Sequence, residues 1–132
     1  MFAIACSRQS TPPPTPAALL QAISPADPAR YPAQHEGKHW ANPYLVVRPQ
    51  NIALLTSVNP NEEQILKPEE VLNTLAHFPA SAWPYGRVVA IFLDDKPGSS
   101  EADKTALRRE RGIVEGDLRS AAVAIYWINA AQ

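Results

Sequence analysis

The chain has one cysteine, Cys6, among 132 residues, so no disulfide can form within it and the fold must hold by packing. Glycine is scarce, at five residues. None of the five falls in a P-loop, in a G-x-G-x-x-G turn or in a G-x-S-x-G elbow, which excludes phosphate-cradle, dinucleotide and serine-hydrolase chemistry of those types. Neither sign of charge is in excess: 12 Lys+Arg stand against 13 Asp+Glu. With no basic stripe, nucleic acid is not favoured as a partner. No stretch approaches the roughly 20 consecutive apolar residues that span a bilayer.

Proline is abundant. There are 14, and eight fall in the first 43 residues. Proline cannot donate a backbone hydrogen bond, and the segment that carries these eight is weakly charged and poor in large apolar residues. The expected organisation is therefore residues 1–6 as a possible signal-peptide remnant, residues 7–42 as a flexible proline-rich tether, and residues 43–132 as a small α+β domain. A body of roughly 90 residues buries a modest core.

Cys6 matters more for its position than its number. Ala3-Ile4-Ala5-Cys6-Ser7 resembles the bacterial lipobox, in which the cysteine is acylated after signal cleavage. Ala3 stands where leucine is usual, and a basic n-region with a full apolar h-region does not precede it. The stretch that follows, "SRQSTPPPTPAA", is polar, small and proline-rich, a composition suited to a spacer between a membrane and a domain. The bland alternative is an exposed thiol near a frayed end.

Along the body the pattern is regular. "AALLQAI" (17–23) has the residues for one or two helical turns before Pro25 stops them. "YLVVR" (44–48) and "IALLTSV" (52–58) predict a hairpin across the turn-forming Pro49-Gln50-Asn51. Gln64-Ile65-Leu66 predicts a short third strand. Pro68 suits a first helical position, Glu69 and Glu70 suit the positive end of a helix dipole, and Val71, Leu72, Leu75 and Phe78 share one face before Pro79. "RVVAIFL" (87–93) reads as a central strand covered on both sides. Ser100 and Asp103 predict a capped helix start. That helix runs to about Arg119 with Ala106, Leu107, Val114 and Leu118 inward, although Gly112 and Gly116 weaken its second half. "AVAIYWI" (122–128) predicts the last strand. The sum is a two-layer α/β sandwich of the α+β class, with four or five strands and two helices on one face.

This order, over residues 44–128, resembles the periplasmic domain of the ExbD/TolR membrane-energy proteins, where a hairpin likewise leads into a helix shaped like "LKPEEVLNTL", then strand, helix and strand. The resemblance implies the fold only; the membrane-embedded acid of that family has no counterpart here. "SAWPYGRVVA" (81–90) resembles a stretch of small bacterial proteins and implies no activity.

Several candidate sites follow. "HEGKH" (35–39) spells H-E-x-x-H, which on a helix binds zinc through His35 and His39 with Glu36 as general base. Gly37 weakens such a helix, Pro32 and Pro43 bound it to little more than two turns, and no residue stands out as third ligand. The alternative is a loop that docks Trp40 on the domain. Asp94 and Asp95 end the strongest strand, where an acid pair can hold a divalent cation or simply make a solvated turn. His77 is placed to meet helix-terminal carbonyls. Trp83 and Tyr85 flank Pro84 in a turn and are a possible partner surface or a cap on the core. "KTALRRERG" (104–112) is basic but offset by Glu101, Asp103 and Glu110, which predicts a solvated helix face.

The reading is a non-enzymatic, envelope-associated, lipoprotein-like binding or accessory domain. It has no cofactor, a possible protein partner in the bacterial cell envelope, no nucleic-acid partner, and contact with the membrane only through lipid on Cys6. Without lipidation the chain is expected to be cytoplasmic. The alternative is a small zinc-dependent hydrolase using His35, Glu36 and His39.

Overall fold

The computed structural model describes residues 12–31, 40–57 and 61–128. Five strands form one mixed sheet: β1 (Tyr44–Val47), β2 (Ile52–Leu55), β3 (Gln64–Leu66), β4 (Val88–Leu93) and β5 (Ala124–Trp127), in the order β3-β2-β1-β4-β5. β2 runs antiparallel to both β1 and β3, whereas β4 runs parallel to β1 and β5 parallel to β4. The hairpin closes as expected: the Arg48 amide donates to the Asn51 carbonyl at 2.9 Å. The chain is thus a mixed α+β protein, with three α-helices among the described residues.

The helices are α1 (Pro16–Leu20), α2 (Val71–Ala76, entered through a 3-10 turn at Pro68–Glu70) and α3 (Glu101–Ser120). Thr15 caps α1 by accepting from the Ala18 amide, and Ser100 caps α3 by accepting from the Asp103 amide at 3.0 Å. Glu70 reaches back to accept the Lys67 amide at 2.8 Å, tightening the entry to α2. Despite Gly112 and Gly116, α3 runs unbroken to Ser120, held by the buried stripe Leu107, Glu110, Val114, Leu118. Packing of that stripe outweighs the propensity of two glycines.

Alternation along the strands assigns two faces. Leu45, Val47, Ile52, Leu54, Leu66, Val89 and Ile91 point to the helices and join Val71, Leu75, Leu107, Val114 and Leu118 in the main core. Tyr44, Val88, Ala90 and Tyr126 point the other way, where a second cluster forms with Trp40, Tyr31 and Tyr85. Two clusters on opposite faces explain why Val88, Val89, Ala90 and Ile91 are all buried.

The flexible tether expected over residues 7–42 does not hold for residues 16–31 and 40–42. Leu20 is 0 % exposed within the main core, beside α2 and the end of α3, and the Gln21 side chain donates to the Ala121 carbonyl. The chain then passes along the start of β4. Pro25 bridges Arg87, the Arg87 amide donates to Ser24, and the Asp27 amide donates to Tyr85. Tyr31 ends on the opposite face, in the aromatic cluster. The leader wraps from one face of the sheet to the other.

Candidate binding surfaces

The best-built polar site lies where β1 and β4 begin. Asn42, 1 % exposed, is its centre. Its Nδ2 donates to the carbonyls of Gly86 and Val88, both at 2.8 Å, and its Oδ1 accepts the Tyr85 amide at 2.8 Å. One amide side chain therefore ties the entry to β1 to the turn before β4. Gly86 makes the turn possible: its φ is +84°, and a Cβ there would stand 2.2 Å from the Pro25 carbonyl oxygen.

Around this hub the aromatic rings interlock. Trp40 stacks on Tyr126 at 4.7 Å with 10° between planes, and meets Tyr85 edge-on at 4.8 Å. Tyr31 packs edge-on against Trp40 and Tyr126, each at 5.4 Å. The Trp40 indole donates to the Pro43 carbonyl, and the Tyr85 hydroxyl accepts the Ala41 amide. Burial pushes the phenols of Tyr31, Tyr44 and Tyr126 above the usual tyrosine range; Asp27 and Tyr126 add to the shift at Tyr31. Trp40 thus docks on the domain. His35, Glu36 and His39 lie outside the described residues, as does Cys6.

Trp83 and Tyr85, read as either a partner surface or a cap on the core, diverge. Tyr85 is half-buried in the aromatic cluster, whereas Trp83 is 4 % exposed and belongs to the main core on the opposite face. The 3-10 turn at Ala80–Ala82 and the positive φ of Gly86 fold the "WPYG" turn inward. Trp83 also borders a hollow of about 220 Å³ with Ser24, Asp27, Arg30 and Gly86. Of its lining residues, Arg30 pairs its guanidinium with Asp27 at 3.3 Å and donates to the Pro84 carbonyl.

At the opposite end of the parallel strands, Asp94 follows β4 beside Arg48, which follows β1. Arg48 forks onto both oxygens of Glu63, at 3.0 and 2.7 Å, and lies 3.9 Å from Asp94; Lys96 stands 3.7 Å from the same Asp94 oxygen. Asp94 is thus flanked by cations, and Asp95 is exposed. No group of three or more metal-ligating side chains occurs among the described residues. The hydrogen bond from Arg48 holds the Glu63 carboxyl below the usual range, with some opposition from burial. The pair's contribution to stability is present above the ordinary carboxylate pKa and fades as pH falls through the lowered one. Arg48→Met should lower the denaturation midpoint only slightly, and the difference should shrink in high salt, because both side chains meet solvent.

His77 uses its ring: Nδ1 lies 2.7 Å from the Asn73 carbonyl, one turn back. Two features escaped sequence reasoning. Glu110, read with the charged run as solvated, is 3 % exposed. Its spacing from Leu107 and Val114, three and four residues, was the signal that it lies on the buried stripe. Among the described residues, Ile65 is the large apolar side chain left exposed, at 53 %, on the edge strand β3. No described helix is long and apolar enough to cross a membrane. Comparison with protein-family models, with curated proteins and with solved structures returned no match, so the likeness to ExbD/TolR domains rests on element order alone.

Proposed function

We propose that this chain is a non-enzymatic binding or accessory domain of the bacterial cell envelope, anchored by a lipid on Cys6 and working through a protein partner. The observation that carries the binding part of this reading is the edge strand β3. Gln64 and Ile65 are exposed there, on a strand that among the described residues pairs only with β2. An open strand edge with an apolar side chain accepts an extended segment of another protein, whose backbone adds the next strand while Ile65 supplies apolar contact. The polar side chains described above serve the fold instead: Asn42 joins two strand entries, Arg48 holds Glu63, and His77 meets its own helix. The anchoring part rests on Ala3-Ile4-Ala5-Cys6 and the proline-rich residues after it.

Fractionation of cells expressing the native gene tests the anchor. The wild-type protein is expected in the membrane fraction with an acyl mass on Cys6, and Cys6→Ser is expected in the soluble fraction. A wild-type product found unlipidated in the cytosol overturns the anchor. Metal analysis of the purified full chain tests the enzymatic alternative. Stoichiometric zinc, lost in His39→Ala, would replace this reading with a metal-dependent hydrolase built on "HEGKH".

A further inference from the structure

Glu110 is the ionisable residue that the fold treats least comfortably. It occupies the middle of the buried stripe of α3, one turn from Leu107 on one side and Val114 on the other. It is 3 % exposed, and among the described residues neither carboxylate oxygen has a hydrogen-bond partner. A carboxylate in that setting loses its hydration and gains no hydrogen bond in return, a cost met by holding the proton. Burial raises its pKa first; the Arg109 guanidinium pulls it back, and Glu69 pushes it further up.

Among the described residues, the surroundings offer no other relief. The 3-10 turn ahead of α2 contributes Glu69, a like charge. α2 (Val71–Ala76) and α1 (Pro16–Leu20) carry no ionisable side chain. Tyr44 on β1 and Tyr126 on β5 point to the opposite face of the sheet. Arg109 precedes Glu110 on its own helix and is exposed.

The geometry points to a proton-operated latch: Glu110 lies sealed between α3 and the turn at residues 68–70 when protonated, and loss of its proton drives that seam open. The sign follows from linkage. The folded state binds the Glu110 proton more tightly than the unfolded chain, so the stability is fully present below the unfolded pKa and is lost as pH rises through the folded one. This device needs neither the lipid nor a partner.

The test compares full-length wild type with Glu110→Gln and Glu110→Met by chemical denaturation from about pH 5 to about pH 9, below the range of the tyrosines. Wild type is expected to lose stability across this range. Both variants should show a flatter profile and, at the alkaline end, a folded-to-unfolded ratio about tenfold or more above wild type. Glu69→Gln should weaken the pH dependence by removing the like charge. Amide exchange, corrected for its intrinsic pH dependence, should show α3 and residues 68–76 opening at high pH in wild type but not in Glu110→Gln. Parallel pH profiles for wild type and both variants would overturn the latch. So would variants less stable than wild type at alkaline pH, since these would show that the ionised carboxylate is satisfied in the fold.

Discussion

Asn42→Ala is expected to destabilise the protein by about 3–5 kcal/mol, since each buried polar group left unpaired costs about 1–3 kcal/mol. The variant leaves the Val88 carbonyl without the Asn42 donor and the Tyr85 amide without its acceptor, and takes one donor from the Gly86 carbonyl, which keeps the Val88 amide, all at a site 1 % exposed. Against a typical domain stability of about 5–15 kcal/mol, a loss of that size leaves the fold marginal. Asn42→Asp should be no better. It keeps the acceptor for Tyr85 but points a second carboxylate oxygen at two carbonyl oxygens. Tyr85→Phe is the control, because it removes only the hydroxyl that accepts the Ala41 amide and should cost about 1 kcal/mol. Urea denaturation measures all three. An Asn42→Ala variant within about 1 kcal/mol of wild type would mean that water replaces the amide without penalty, and the hub would lose its structural role.

The strands and caps were legible because their determinants are local. Ser100 and Asp103 lie three residues apart, Pro49-Gln50-Asn51 turns the hairpin, and the run from Val88 to Leu93 is apolar throughout. The leader was misread because proline density was counted as a deficit of donors. The contacts that dock it barely use proline nitrogens. Ser24 offers its carbonyl to the Arg87 amide, and the amide that donates to Tyr85 belongs to Asp27. Proline's fixed φ suits an extended strap of this kind. For Trp83 the turn sequence left a partner surface and a cap on the core both open, and the backbone around Gly86 turns the indole into the core. Asn42 gave no signal at all, since a single asparagine ahead of a strand is ordinary and its three partners lie more than 40 residues away in sequence.

The leader's place in the fold makes the other large prediction. Leu20→Ala is expected to cost about 2–5 kcal/mol, the range for emptying a fully buried leucine site. Leu20 is 0 % exposed, in one cluster with Val71, Leu75 and Leu118. A free tether could not produce that result, because a leucine exposed in both folded and unfolded states contributes almost nothing when truncated. A fragment covering residues 43–132 makes the same point more severely. It uncovers the apolar surface under α1, leaves the Arg87 amide without Ser24, and removes Tyr31 and Trp40 from the aromatic cluster. Limited proteolysis separates the cases by where cutting begins. With the leader packed as described, residues 16–31 of the intact protein resist cleavage, and Leu20→Ala makes them the first segment cut. Were the fragment as stable as the whole chain, and Leu20→Ala indistinguishable from wild type, the body would begin at β1 and α1 would be mere decoration. The burial of Leu20 and the backbone hydrogen bonds on either side of Pro25 argue instead that the domain includes α1 and the strap that follows it.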